Sequence, residues 1–464
     1  MSPMVSAHRS DTTPGAVAID RRTALRALVA GGIAVSLPAC DGVSLSTTDP
    51  ALTLPALAER YVRLTQALAL HQPSLIEAWL GPAPASAGPR RPVAALRAET
   101  SVLAADFATL SAATAAADVV NTAVGAGTPL AIPDHARIQY LAGQARALDA
   151  AAARLLGEST TFAAQAERTF GHAPPPRDGA ALDALRADLA ALLPGRGTLA
   201  ERHAAFRRAA AVPPERVEAV FAAAVAWCRG AAGPHLPLPA GETLTTRAED
   251  TAGWAAFSRP TGPRTSDLWV ARRGGADAAH LLQLAAHEGT PGHHAQHVLA
   301  SATLVEGRGW TERALHPGFG PHRLVAEGAA EAGADLLLPE DVRIRVLAEV
   351  LLPAAGQSPA LAGPLARVER RAAALDLEVG HIAAEYLDTS LAVEAATTRL
   401  RDEALVLDPA GMVGFIEKQR TYLLAYPLGR RLVTAALGRG DEVTRWSRLG
   451  AIATTLTLPA TVGE

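Results

Sequence analysis

Apolar residues recur every three or four positions through most of this sequence, and proline- and glycine-rich runs cut the pattern into helix-sized lengths. Residues 57–70, LAERYVRLTQALAL, and 181–193, ALDALRADLAALL, show the spacing of an amphipathic helix. Between such segments, LGPAPASAGPRRP (80–92), GHAPPPRDGA (171–180) and GPHLPLPAGE (233–242) are stretches where a helix cannot continue. Alanine, leucine, arginine and glutamate fill the segments, and all four favour helix over strand. The expected fold is therefore mainly α. With 464 residues, 49% of them hydrophobic, the chain can bury one large core or two modest ones. A formal net charge of −3 gives no electrostatic reason to expect a nucleic-acid partner.

Two segments depart from the helical pattern. Residues 20–40, DRRTALRALVAGGIAVSLPAC, place the pair Arg21–Arg22 before an apolar run that is too short to span a bilayer comfortably. The arginine pair resembles a twin-arginine export signal, and LPAC resembles the lipobox before a lipid-modified cysteine, here Cys40. Lipidation would leave Cys228 as the lone second cysteine, so no disulfide framework is expected. The implied location is the cell envelope, with a lipid anchor on the outer side of the cytoplasmic membrane. Residues 243–273 set Thr, Trp, Phe and Val between turn signals and read as one or two short strands. The expected organisation is a signal over 1–40, a helical region over 41–235 and a catalytic region over 236–464, with short strands followed by helices.

Chemistry concentrates in residues 284–297, LAAHEGTPGHHAQH. His287 and Glu288 open like the zinc-protease signature H-E-x-x-H, but Pro291 and Gly292 stand where the second histidine would follow. Asp277 is a good N-cap for the preceding helix, which must kink, bulge or stop at Pro291. A local widening there, such as a π-bulge, would bring His293 onto the metal face, with His294 held in reserve. A zinc site with two His ligands usually takes a carboxylate as its third. LVAEGAAEAGADLLL supplies Glu327 and, one turn on, Glu331: one to ligate and the other to accept a hydrogen bond from a ligand His. The small residues around them would let this helix approach the motif helix closely.

HEGTPGHHAQ followed by EGAAEAG resembles the paired motifs of the bacterial "domain of unknown function 885" family, roughly H-E-x-x-P-G-H-H-x-Q and E-G-W-A-x-Y-x-E. The resemblance extends to ALALHQPSLIEAWLGP and RTYLLAYPLG, and so covers most of the chain beyond the signal. That family is grouped with the helical gluzincin metallopeptidases. The resemblance implies a large helical gluzincin-like fold with Zn2+ as cofactor. It also implies His287, His293 and Glu327 as ligands and Glu288 as general base. The second motif is degenerate: Ala329, Ala332 and Ala334 stand where the family has Trp, commonly an aromatic residue, and Glu.

Amide hydrolysis builds negative charge on the carbonyl oxygen, so a donor facing the metal is expected. Tyr426 is the choice, with His381 as the alternative. Arg420 is a candidate for binding a substrate carboxylate through its planar fork, and Tyr422 is expected in the core. Trp254 and Trp269, in the strand segment, are candidates to line the cleft, with Trp254 assigned to substrate. The expected partners are a peptide or small amide substrate and, through the lipid, a membrane.

Overall fold

Helix dominates the computed structural model, which describes residues 53–81, 89–124, 132–250, 254–455 and 457. Residues 1–40, including Arg21, Arg22 and Cys40, lie outside the described residues. The first half runs α1 (Leu54–Ala69), β1 (Ile76–Trp79), α2 (Val93–Val124), α3 (Ile132–Leu155), α4 (Phe162–Phe170), α5 (Gly179–Leu192), α6 (Leu199–Ala210) and α7 (Pro214–Ala232). Three strands follow, β2 (Thr243–Glu249), β3 (Ala256–Gly262) and β4 (Thr265–Ala271), then α8 (Ala278–Glu288), α9 (His293–Ala300), β5 (Leu315–Pro317) and α10 (Gly320–Leu337). The rest is α11 (Glu340–Val346), α12 (Leu352–Ala355), α13 (Ala362–Ala373), α14 (Asp376–Asp388), α15 (Val393–Asp402), α16 (Pro409–Gln419), α17 (Ala425–Leu437) and α18 (Glu442–Thr455). The mainly α expectation holds. Among the described residues no helix is long and apolar enough to cross a membrane.

The strand segment holds three strands rather than one or two. They form a sheet of order β2-β4-β3, with β2 parallel and β3 antiparallel to β4. A separate antiparallel pair, β1 with β5, ties the start of the chain to the segment before α10. That pairing matters for function, because it carries Glu77 from the N-terminal half to the functional cavity.

Helix α10 is central, and its burial explains its composition. Leu324 packs with Phe162, Ile382, Ile416 and Leu424. Val325, Ala329 and Ala332 join a larger core with Val217 and Phe221 of α7, Leu281 and Leu282 of α8, and Trp446 and Leu449 of α18. This core bridges residue 235. Gly328 and Gly429 face each other where α10 meets α17: a Cβ on Gly328 would stand 2.3 Å from the backbone of Gly429. Only glycine permits two backbones that close.

Asp277 caps α8 as expected. Its side chain accepts from the backbone N–H of Ala279 and His280, and Arg207 Nε stands 2.8 Å from its other oxygen. Asp277 is fully buried, so Arg207 compensates its charge while the cap fixes where α8 begins.

Candidate metal centre

Helix α8 ends at Glu288, and a new helix starts at His293. The connection has a cis Thr290–Pro291 peptide. Gly292 N donates to Ala286 O at 3.0 Å and Ala295 N to Gly289 O at 3.3 Å, both reaching back six residues. Of the kink, bulge or stop expected at Pro291, the chain takes the stop and restarts at His293, rather than widening through a π-bulge, because Pro291 has no N–H to continue the ladder. A π-helical turn does occur, but later, at Ser301–Glu306. Gly292 passes so close to its own helix that a Cβ would meet His287 O at 1.7 Å.

This turn brings His293 to His287. Their rings lie 4.8 Å apart and almost perpendicular. From α10, Glu327 Oε2 stands 3.0 Å from His287 Nε2 and 3.3 Å from His293 Nε2. His287, His293 and Glu327 thus form a group that could hold a metal ion, with ligand atoms all within 4.8 Å of one another. Ligands about 2.0–2.1 Å from a shared tetrahedral ion stand roughly 3.3 Å apart, so both Nε2–Oε2 separations are near that of a metal shell.

The surrounding contacts leave those three atoms free. Glu331 Oε1 lies 2.9 Å from His287 Nδ1, off the line of a good hydrogen bond, and Gln283 holds its other oxygen. Arg343 in turn donates to Gln283. His293 Nδ1 faces Gln296 Oε1 at 3.3 Å, and Gln296 Nε2 donates to Ala326 O, which fixes the amide's orientation. Both imidazoles are thereby set with Nδ1 outward and Nε2 toward Glu327. Glu327 Oε1 is taken by Arg323 Nη2 at 2.7 Å and by the Tyr422 hydroxyl at 3.2 Å, leaving Oε2 for the histidines. Glu327 is fully buried, which opposes its ionisation. Arg323 and His293 outweigh that and hold its carboxyl well below the usual range. Burial likewise opposes a charge on His287, but Glu327 and Glu331 raise its pKa well above the ordinary value. A metal ion would displace that proton.

These residues open on a cavity of about 560 Å3. Glu288 lines it, is only 7% exposed, and has no hydrogen-bond or ion-pair partner among the described residues. Tyr426 lines it too, its ring 6.1 Å from that of His287. The β3 residues Ala256–Pro260 form another wall, so the strand segment does flank the cavity.

Other expected residues sit elsewhere. His294 points under the sheet, where its Nε2 donates to Glu242 at 2.6 Å and its Nδ1 accepts from Ser266. Of the two candidate ligands, only His293 joins the group. His381 packs on the α4–α5 connection, facing Pro175 O and Glu378, and does not line the cavity. Arg420 donates to Gln165 beside a separate pocket and does not line this cavity. Trp254 stands edge-on to Phe257, and it is Phe257 that lines the cavity. Trp269, expected to line the cleft, also stays off that lining and stacks on Phe257. Tyr422 is not simply core, since it bonds Glu327. Ala329, Ala332 and Ala334 are buried in the core, and none of them lines the cavity.

Sequence reading missed Arg323, Gln296 and Glu77. Arg323 had a usable signal, one turn before Glu327 on the same face. It also pairs with Glu77 at 2.8 Å, a contact with no local signature.

The chain matches no protein-family model and no curated protein. Two solved structures are similar. One, from Colwellia psychrerythraea and assigned as a lipoprotein, has 15% identity and a TM-score of 0.43 over 87% of this chain and 76% of that one. The other, from Shewanella oneidensis and assigned as a lipoprotein of unknown function, has 12% identity and a TM-score of 0.44 over 78% and 71%. Neither similarity is high enough to assign a family or an activity.

Proposed function

We propose that this protein is a zinc-dependent hydrolase of peptide or related small amide bonds. The convergence of His287 Nε2, His293 Nε2 and Glu327 Oε2 beside the partnerless Glu288 carries this reading. Two imidazoles and one carboxylate suit zinc better than the oxygen-seeking cations. Zinc held there would supply Lewis acidity, polarising a carbonyl and acidifying a water beside it. Glu288 is placed to take the proton from that water and pass it to the leaving amine. Burial, with Glu327 nearby, pushes the Tyr426 phenol well above its ordinary pKa. It therefore stays protonated and can donate to the carbonyl oxygen as charge builds. Glu331 and Gln296 orient the two imidazoles without touching substrate.

The resemblance to the domain of unknown function 885 family supports this reading, and with it a gluzincin-like ancestry. The Arg21–Arg22 pair and Cys40 support export and lipid anchoring on the outer side of the cytoplasmic membrane. A metal- or peptide-binding lipoprotein would need the ligands but not a free carboxylate beside them. Glu288→Gln separates the two. It should keep the metal and the fold while lowering turnover of a cleaved peptide by about 100-fold or more. Equal cleavage by both proteins would remove Glu288 from the chemistry. Failure of zinc-loaded wild type to cleave any peptide or small amide would favour the binding lipoprotein.

A further inference from the structure

The cavity contains a buried positive charge that the metal centre does not use. Arg313, from the turn before β5, is 7% exposed and stands between two cavities: it lines the one that holds Glu288 and, with Tyr140 and Thr455, a second one behind it. Its Nη2 donates to Thr455 O at 2.7 Å, and its guanidinium lies 3.9 Å from the centre of the Tyr140 ring. Among the described residues no carboxylate pairs with it. Its sequence neighbour Glu312 is already held by Arg137 through two bonds of 2.7 and 2.9 Å. Arg323, by contrast, is neutralised by Glu77 and Glu327.

The groups beside Arg313 supply no counter-charge. His316 and His322 line the same wall, and Tyr140 OH meets His322 Nδ1 at 2.9 Å. Burial, with Arg313 adding to it, keeps both imidazoles neutral at ordinary pH. A guanidinium withdrawn from water without an anion is costly, and a carboxylate arriving in its plane would relieve that cost through two parallel bonds. Arg259, on β3, also lacks a carboxylate partner among the described residues, but it is exposed and stays hydrated. Burial singles out Arg313.

We infer that Arg313 is the anion-binding group of this cavity and that it takes a short peptide by its C-terminal carboxylate. A cavity of about 560 Å3 is in the size class that encloses a drug-sized molecule, room for a short chain end. Phe257 and Pro260 add apolar wall to the same cavity. The inference deepens the hydrolase reading by naming its substrate class, but binding alone can test it.

The test is calorimetric titration of the metal-free full chain with acetyl-trialanine, once as the free acid and once as the amide. The free acid should bind wild type at least ~10-fold more tightly, as expected for hydrogen bonds to a charged group. Arg313→Gln should abolish that preference and Arg313→Lys should keep part of it, while Arg259→Gln keeps it whole. Should Arg313→Gln fail to melt cooperatively, the Arg313→Lys and Arg259→Gln pair gives the answer. Equal affinity of wild type for acid and amide would overturn the proposal, as would loss of the preference in Arg259→Gln alone. Acid preference without cleavage by the zinc-loaded protein would keep this site and remove the hydrolase reading. Cleavage without acid preference would do the reverse.

Discussion

At the scale of single residues, the site depends on which nitrogen of each imidazole is free. Glu331 and Gln296 face Nδ1 of His287 and His293, so both Nε2 atoms are left for a metal. Glu331→Gln should keep the fold and weaken zinc affinity by about 10- to 100-fold, the scale of a lost outer partner. Competition with a chromophoric chelator measures it, and an unchanged affinity would show that Glu331 does not orient His287. The pair His287–Glu288 and the acids Glu327 and Glu331 were legible from spacing, because helix geometry is local. The choice between His293 and His294 was not, since it depends on the path through Pro291–Gly292. Glu77 and Tyr422 carried no signal either, their contacts to Arg323 and Glu327 spanning 246 and 95 positions. His381 and Arg420 have suitable chemistry, but their neighbours in the chain gave no warning that His381 faces the α4–α5 connection and Arg420 faces α4.

At the scale of elements, most of the helical pattern translated directly: the Pro/Gly runs at 171–180 and 233–242 end α4 and α7, whereas the run at 80–92 follows strand β1 and precedes α2. What it could not show was the close crossing of α10 and α17. The small residues at 328–330 and 332–334 predict a close approach to the motif helix; the structure instead pairs Gly328 with Gly429 of α17. Gly429→Ala would put a Cβ 2.3 Å from Leu324 O. Since α10 carries Glu327 and Glu331 and α17 carries Tyr426, the two helices must separate to admit it. The expected cost is about 1–3 kcal/mol, read as a lower denaturant midpoint. An unchanged midpoint would mean the helices are less tightly apposed. The third strand was missed for a related reason: β4 pairs on one side with β2, which precedes β3 in the chain, and on the other with β3, and no local pattern encodes that order.

At the scale of the whole molecule, several buried histidines couple folding to protonation. His203 is 4% exposed, with neither ring nitrogen partnered, and burial, with Arg207 adding to it, depresses its pKa to about 4. The unfolded chain takes up that proton near pH 6.5. Between 6.5 and about 4 the unfolded state therefore binds more protons at this position, and the neutral buried ring contributes stability that is lost as pH falls. His203→Leu removes that term while other groups titrate as before. Its melting temperature should fall less than that of wild type between pH 6.5 and 4; parallel curves would contradict the assignment.

Whether His287, His293 and Glu327 hold a zinc ion is answered by metal analysis. Wild-type protein loaded with zinc and dialysed should retain about one ion per chain, as expected of three converging N and O ligands. His293→Ala should lose it, whereas His294→Ala, if folded, should keep it. Wild type that retains no zinc would rule out this metal centre, and a His293→Ala protein that keeps zinc while His294→Ala does not would move the second ligand to His294.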